Sequence, residues 1–176
     1  MKIPKDRVGV LIGVKGEVKG QIEDRFGVKI DVDSKMGDVI ISGEDSINVY
    51  SAKNIVKAIG RGFAPVVAMQ LEREDYMFDL IDITDYVGKS KKGLERLKGR
   101  MIGSEGKARK MIEMITETRI SIYGKTVGII GEIEGATIAR RAVDMLLSGS
   151  PHGNVYKWLE NQKRELKKRM FEGHGI

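Results

Sequence analysis

The chain has 176 residues, of which 41% are hydrophobic and 32% are charged. This balance excludes disordered and membrane-embedded proteins, and the length suits one large domain or two small ones. The absence of cysteine excludes disulfide scaffolds, cysteine-based zinc sites and thiol catalysis. No apolar run approaches the roughly 20 residues of a membrane helix, and the N-terminus lacks the apolar run of a signal peptide. We therefore expect a soluble, cytoplasmic protein with no membrane association.

The net charge of +6 is distributed unevenly along the chain. Residues 1–76 contain 12 basic and 12 acidic residues, whereas residues 77–176 contain 19 basic and 13 acidic residues. Because the whole excess lies in the second part, a polyanion-binding surface is expected there, with nucleic acid as the first candidate. The solvated surface of a heat-adapted protein would carry similar charges, so composition alone leaves both interpretations open.

The first part of the chain predicts a short leading strand, two helices joined by a glycine turn, two strands and a closing helix. In chain order these cover Met1–Pro4, the residues before Gly13, Glu17–Phe26, Val28–Val32, Asp38–Ser42 and the residues after Asp45. Gly27 is the expected stop of the second helix, and Asp45 is the expected cap of the closing helix. The closing helix is expected to face inward with Ile47, Ile55, Val56 and Ile59.

The second part of the chain predicts the same order of elements after a joining segment in which Pro65 starts a short helix. In chain order these cover Met77–Ile83, the residues before Gly103, Lys107–Thr116, Arg119–Tyr123 and Thr126–Ile130. The apolar residues of the closing helix are Ile138, Ala139, Ala142, Val143, Leu146 and Leu147. A basic tail helix is expected over Val155–Phe171, packed on its own domain or serving as a docking surface or phosphate contact.

The two parts are copies of one another at a shift of 90 residues. Leu11 to Lys19 align with Met101 to Arg109, and the pair Ile22-Glu23 aligns with Ile112-Glu113. Two copies of about 75 residues, each with the same order of elements, indicate two tandem domains.

The repeated turn reads Gly13-Val14-Lys15-Gly16 in the first copy and Gly103-Ser104-Glu105-Gly106 in the second. Two glycines remove Cβ atoms and permit unusual dihedral angles, so a sugar–phosphate chain can lie against the turn. The turn also opens a helix, whose free N–H groups and dipole favour phosphate. The next strand supplies an edge where unstacked bases can meet backbone groups.

These residues resemble the KH family. The resemblance covers most of the chain and implies an α+β protein of two tandem type I KH domains with element order β-α-α-β-β-α. Each domain would have a three-stranded antiparallel sheet backed by helices. The implied domains are residues 1–75 and 76–152, followed by a C-terminal helical extension over residues 153–176.

A finer resemblance is to the archaeal relatives of the small-subunit ribosome assembly factors called partner of Nob and KRR. It rests on three stretches, Lys5 to Gly13, Gly99 to Gly103 and Ser148 to Tyr156. It implies a non-catalytic protein that binds single-stranded ribosomal RNA near the 3′ end of the small subunit during assembly and pre-rRNA processing. The implied partners are this RNA, a separate processing endonuclease of the Nob type, and other small-subunit assembly or translation factors.

The second copy is the expected main RNA site because of its charge. Residues 89–110 contain nine basic and two acidic residues, whereas residues 14–35 of the first copy contain five of each. The resemblance implies RNA contacts, over an apolar floor that also includes Ile112, by Arg100, Ile102, Gly103, Ser104, Glu105, Gly106, Lys107, Arg109, Lys110, Arg119, Ile120 and Ser121. A secondary site is implied at Gly13, Val14, Lys15, Gly16 and Lys19. A core position is the plainer interpretation of Ile112, and a phosphate-repelling role is expected of Glu105.

Three functions are alternatives to RNA binding. A protein-interaction scaffold with KH folds fits the net-zero charge of the first copy. A nuclease or RNA-modifying enzyme is a further alternative, but this sequence shows no nucleophile–base set and no metal-ligand spacing. Neither a metal nor a cofactor is therefore expected. Gly88-Lys89-Ser90 and Gly124-Lys125-Thr126 resemble the end of a P-loop, but Ile83 and Arg119 occupy the positions that require glycine, so ATP binding is not expected.

Overall fold

The computed structural model describes residues 1–173 and divides into two compact units, the first over Met1–Phe78 and the second from Asp79 onward. The division falls inside a strand, close to the boundary expected after residue 75. The tail helix belongs to the second unit, because it packs against two of that unit's helices.

The first unit has four helices and two strands among its described elements. In chain order they are α1 Lys5–Ile12, α2 Glu17–Phe26, β1 Val28–Val32, β2 Val39–Gly43, α3 Ser46–Gly60 and α4 Pro65–Ala68. A short 3-10 turn over Val14–Gly16 joins α1 to α2, and another over Met69–Glu72 follows α4. Pro65 is at the start of α4, as the sequence predicts.

The second unit repeats the order of two helices, two strands and a helix, and adds a leading strand, a short helix after it and the tail helix. Its elements are β3 Tyr76–Asp82, α5 Thr84–Val87, α6 Lys91–Ile102, α7 Lys107–Thr116, β4 Arg119–Tyr123, β5 Thr126–Glu132, α8 Ile133–Leu147 and α9 His152–Glu172. A 3-10 turn over Ser104–Gly106 joins α6 to α7. The mixed helix–strand architecture expected from the sequence is therefore confirmed.

The two units differ in their sheets. In the second unit the strand order is β3-β5-β4, with β4 and β5 antiparallel, so β4 is an edge strand. In the first unit β1 and β2 form an antiparallel pair, and the expected leading strand is only an isolated bridge between Lys2 and Asp38. The sheet of this unit therefore has two full strands and a leading strand as short as the sequence predicts, because Pro4 has no N–H to donate and α1 begins directly after it.

Each unit buries isoleucine and leucine between its sheet and helices. Leu11, Ile22, Ile30, Ile55 and Ile59 are inaccessible in the first unit. The inward orientation predicted for Ile47 is wrong, since its side chain is 73% exposed in the first turn of α3. Ile138 is half-buried, and the other five apolar residues predicted for α8 are buried.

The tail helix α9 is longer than predicted and only its beginning is embedded. Val155 and Leu159 are inaccessible, whereas Met170 is 69% exposed. The helix packs against α7 and α8, and Arg169 forms a 3.1 Å ion pair with Glu134 of α8. The first turns of α9 are therefore part of the core of the second unit.

The ends of α2 and α7 have the same left-handed backbone but different residues. Gly27 follows α2 with φ 60° and ψ 40°, and Glu117 follows α7 with φ 54° and ψ 41°. A glycine adopts this conformation freely, whereas an L side chain is disfavoured by about 1–2 kcal/mol. The second copy therefore carries local strain that the first copy avoids.

We expect Glu117→Gly to raise the free energy of unfolding by about 0.5 kcal/mol, because relief of the left-handed strain exceeds the entropy cost of glycine. Gly27→Ala should lower it by about 1 kcal/mol, since a Cβ there meets no atom within 4 Å and only the backbone conformation is penalised. Urea denaturation measures both changes. Glu117→Ala is the control, and an equal gain from it would show that the glutamate side chain, not the backbone, is the source of strain.

Candidate nucleic-acid interface

The two glycine turns have the same backbone conformation. The first glycine of each has φ 75° (Gly13) or 73° (Gly103), and the last has φ 77° (Gly16) or 75° (Gly106). The residue before the last glycine is also left-handed, with φ 52° at Lys15 and 53° at Glu105. Because three side-chain differences separate the aligned segments Leu11 to Gly16 and Met101 to Gly106 without changing these angles, the turn shape is set by the backbone.

The first glycine of each turn is required by space as well as by dihedral angle. A Cβ at Gly103 would lie 2.7 Å from the Ala108 nitrogen and 2.8 Å from its Cβ. A Cβ at Gly13 would lie 2.6 Å from Cγ2 of Val18. A Cβ at Gly106 would meet only the end of the flexible Lys110 side chain, with Cε at 3.6 Å. Only the dihedral angle therefore favours glycine at this position. The turn can therefore fold tightly onto the helix that follows it.

The outer face of each turn is open to solvent. Val14 is 78% exposed, and Lys15, Ser104 and Glu105 are also exposed. The N–H of Gly106 donates to the carbonyl of Gly103 at 3.2 Å, which closes the turn. The turn leads directly into α7, whose first N–H groups have no intrahelical partner and carry the positive end of the helix dipole. An anionic chain can approach this face without meeting a Cβ at either glycine.

In each unit a glutamate links the helix after the glycine turn, α2 or α7, to the strand that follows it. Oε1 of Glu113 accepts a 2.8 Å hydrogen bond from the Ile120 N–H, and Oε1 of Glu23 accepts the same bond from Ile30. The residue before each glutamate, Ile112 or Ile22, is inaccessible. This explains why the pair Ile-Glu recurs at the 90-residue shift: isoleucine holds the helix in the core, and glutamate holds the strand beside it.

The apolar residues implied as the floor of the site differ in accessibility. Ile102 is 40% exposed beside the turn and can contact a ligand. Ile120 is 4% exposed and its N–H is bonded to Glu113, so its implied side-chain contact with RNA is corrected to a supporting role. Ile112 is inaccessible, in agreement with its interpretation as a core residue. Arg119 is exposed and Ser121 is half-buried on the same strand.

Arg100 is also corrected from an RNA contact to a structural residue. Its Nε donates to the Leu146 carbonyl at 3.1 Å and its Nη2 donates to the Ser150 carbonyl at 2.5 Å. Its own carbonyl lies 2.9 Å from Nε2 of His152. The guanidinium thus ties the end of α6 to the end of α8 and the start of α9. Arg7 does the same in the first unit, donating to the carbonyls of Ile59 and Phe63 at 2.8 Å each.

The cations around the second turn remain available for an anion. Lys107 and Lys110 are exposed, Arg109 is half-buried, and Lys110 Nζ is 3.5 Å from the Glu105 carbonyl. In the first unit, by contrast, Lys19 forms a 3.4 Å ion pair with Glu23. The geometry of the two turns is shared, and the electrostatics favour the second.

Sequence reasoning missed the contribution of α9 to this region. Nζ of Lys107 lies 6.0 Å from the centroid of the Tyr156 ring, a cation–π distance. The rings of His152 and Tyr156 are 6.1 Å apart. The stretch Ser148 to Tyr156 contributes to the family resemblance, but nothing in its residue spacing indicates that it lies beside the turn. The start of α9 therefore orients a cation of the candidate interface.

Within residues 1–173 no group of three or more His, Asp or Glu side chains is placed to hold a metal ion. None of the helices in this range has the length and hydropathy needed to span a membrane.

Comparisons with known proteins match both halves of the chain. Residues 77–164 match the model described as a eukaryotic type KH-domain (KH-domain type I), and residues 1–58 match the KH domain model. A KH domain-containing protein of Methanocaldococcus jannaschii is 49% identical over 176 residues, which cover 98% of this chain and 77% of that protein. The pre-rRNA-processing protein PNO1 of Coccidioides immitis is 29% identical over 148 residues, which cover 82% of this chain and 58% of that protein.

A solved structure matches over almost the full length. It is the crystal structure of a complex of eIF2alpha, Dim2p and rRNA from Pyrococcus horikoshii. The matching chain is 44% identical, with a TM-score of 0.86, and the match covers 94% of this chain and 93% of that one.

We expect the two glycines of the second turn to respond differently to alanine. Gly106→Ala should lower the free energy of unfolding by about 1 kcal/mol, through its dihedral angle alone. Gly103→Ala should lower it by roughly 3 kcal/mol, because the new Cβ also overlaps Ala108. Urea denaturation followed by fluorescence of Trp158, the single tryptophan, measures the second unit. Equal losses in the two variants would contradict the steric role of Gly103.

Proposed function

The chain belongs to the family of KH-domain proteins of the PNO1 type, and from that premise we propose that it binds single-stranded small-subunit ribosomal RNA without catalysing a reaction. The RNA segment lies near the 3′ end, and binding serves ribosome assembly and pre-rRNA processing. The observation that carries this proposal is the second glycine turn, which is exposed between an edge strand and cations that form no ion pair within residues 1–173.

The turn and α7 supply the sequence-independent part of binding. The sugar–phosphate chain lies against Gly103, Ser104 and Gly106, where the missing Cβ atoms allow close approach. Lys107 and Arg109 pair with phosphates from the first turn of α7, to which the helix dipole adds. KH domains hold about four nucleotides in this manner. Glu105 opposes binding, because its exposed carboxylate points from the same turn.

The edge of β4 supplies base contacts. Because the Ile120 N–H is directed to Glu113 and away from β5, the alternation of an antiparallel pair directs the backbone groups of Ile122 to the same open side. Unstacked bases can meet these groups, with Arg119 exposed at the start of the strand. The glutamate keeps the edge at a fixed distance from α7, which fixes the width of the site.

The first unit is a weaker candidate for RNA binding than the second and a stronger candidate for protein binding. Its turn has the same shape, with Gly13, Val14, Lys15 and Gly16 as candidate contacts, but Lys19 is paired with Glu23. The alternative function, a scaffold that docks assembly or translation factors, is favoured here by exposed apolar side chains. Ile40, Ile47 and Tyr50 are 66%, 73% and 66% exposed. In the Pyrococcus structure the related protein is in a complex with both rRNA and eIF2alpha.

The remaining assignments rest on the family alone. RNA cleavage belongs to a separate endonuclease of the Nob type, which is a proposed partner. The proposed location is the cytoplasm, and no cofactor is assigned to the protein.

We expect Ser104→Asp plus Glu105→Asp to weaken binding of a short RNA from the 3′ end of small-subunit rRNA by at least tenfold, because it adds an anion where phosphate lies. Val14→Asp plus Lys15→Asp in the first turn should leave most of the affinity. Fluorescence anisotropy measures both, and for wild type a log–log salt slope near −3 is expected from about four phosphate contacts. Melting temperatures control for unfolding. Failure of wild type to bind, or indifference to both changes, would favour the scaffold function.

Glu105→Lys should tighten binding about fivefold, because it replaces a repelling charge by an attracting one close to a phosphate. The substitution is compatible with the turn, since Lys15 holds the equivalent position with the same φ. Glu105→Gln is the matched control and should give an intermediate affinity. Unchanged affinity in both variants would mean that phosphate does not pass this residue.

A further inference from the structure

A second basic site lies in the second unit, at the beginning of α6 and away from the glycine turn at its end. Lys89, Ser90, Lys91 and Lys125 line a pocket of about 370 Å³, with Leu94 as an apolar wall. None of these residues belongs to the RNA contacts assigned above. The pocket therefore needs its own explanation.

The pocket is formed by the two glycine–lysine turns, Gly88-Lys89-Ser90 and Gly124-Lys125-Thr126, that lack the first glycine of a P-loop. Gly88 has φ 60° and ψ −134°, and Gly124 has φ 55°, so each turn needs glycine before its lysine. The N–H of Ile83 donates to the Lys125 carbonyl at 2.8 Å, which brings the end of β3 against the turn between β4 and β5. The fold thus places the two turns beside one another, although they are far apart in sequence.

The lysines that line the pocket have no ion-pair partner among the described residues. Lys89, Lys91 and Lys125 are exposed, and within residues 1–173 none of them forms an ion pair. Other lysines of the chain do pair, for example Lys98 with Glu95 at 3.8 Å. Like charges around one concave surface repel one another, and a bound anion removes that repulsion.

Hydrogen bonds orient the two hydroxyl side chains that line this pocket, Thr84 and Ser90. Oδ1 of Asp82 accepts hydrogen bonds from the Thr84 N–H at 2.9 Å and from the Thr84 hydroxyl at 2.6 Å. Ser90 caps α6 by accepting from the Gly93 N–H at 2.9 Å, which leaves its hydroxyl hydrogen free to donate. The start of the 12-residue helix α6 adds the positive end of its dipole.

We propose that this pocket binds a backbone phosphate of the same RNA strand that lies on the second glycine turn. The inference rests on the proposed function, since it extends that site. The pocket and the turn are at opposite ends of α6, about 18 Å apart along the helix axis. A strand longer than the four or so nucleotides of a KH groove is therefore needed to reach both.

The test compares two RNA lengths, about five and about twelve nucleotides, the shorter filling only the groove. The triple variant Lys89→Gln, Lys91→Gln, Lys125→Gln should bind the longer RNA about tenfold more weakly and reduce its log–log salt slope by about 0.7, the share of the one phosphate held by the pocket. Its affinity for the shorter RNA should stay within about twofold of wild type. The matched control is Lys5→Gln, Lys53→Gln, Lys57→Gln, which removes the same charge from exposed positions of the first unit and should leave both affinities nearly unchanged.

The outcomes separate this inference from the proposed function. Loss confined to the longer RNA supports the pocket. Equal loss on both lengths, or the same loss in the control, would mean that the lysines act only through net charge, and unchanged binding of the longer RNA would overturn the pocket directly. In each of those cases a wild-type protein that still depends on the Ser104 and Glu105 turn keeps its proposed function. If wild type binds neither RNA, the proposed function fails, and the phosphate site fails with it.

Discussion

The candidate interface depends on one close approach, that of the Gly103 backbone to Ala108. A Cβ at position 103 would lie 2.7 Å from the Ala108 nitrogen, so the turn can fold onto α7 only without it. This approach presents the open turn directly at the helix N-terminus, where backbone N–H groups and the helix dipole favour phosphate. Gly13 and Val18 reproduce the approach in the first unit, and there the same turn forms with different side chains.

A glutamate hydrogen bond fixes the strand that forms the other side of the candidate interface. Glu113 holds the Ile120 N–H at 2.8 Å, which fixes the edge strand beside α7. Arg100 ties the end of α6 to the end of α8 by donating to the carbonyls of Leu146 and Ser150. These contacts hold the elements around the site in place before a ligand arrives, so little ordering entropy is lost on binding.

Features set by residues close in sequence can be predicted, whereas contacts between residues distant in sequence cannot. The bounds of α2 and α7 agree with the sequence because glycine turns and β-branched strands mark both ends locally. Apolar spacing predicts that Ile47 faces the core, yet its side chain in the first turn of α3 is exposed to solvent. Arg100 looks like part of a basic cluster, and only the tertiary fold shows that carbonyls about 50 residues away take its guanidinium. Tyr156 was likewise invisible as a neighbour of Lys107.

The two copies show that backbone shape and charge are separate inputs to function. Both turns have the same dihedral angles, and both helices use a glutamate to hold the following strand. What differs is which cations remain free: Lys19 is paired with Glu23, whereas Lys107 is exposed beside Tyr156. Since phosphate affinity rises with each unpaired cation in reach, we expect the second copy to bind RNA more tightly than the first. The duplicated backbone therefore sets where a strand can lie, and the side chains decide whether it does.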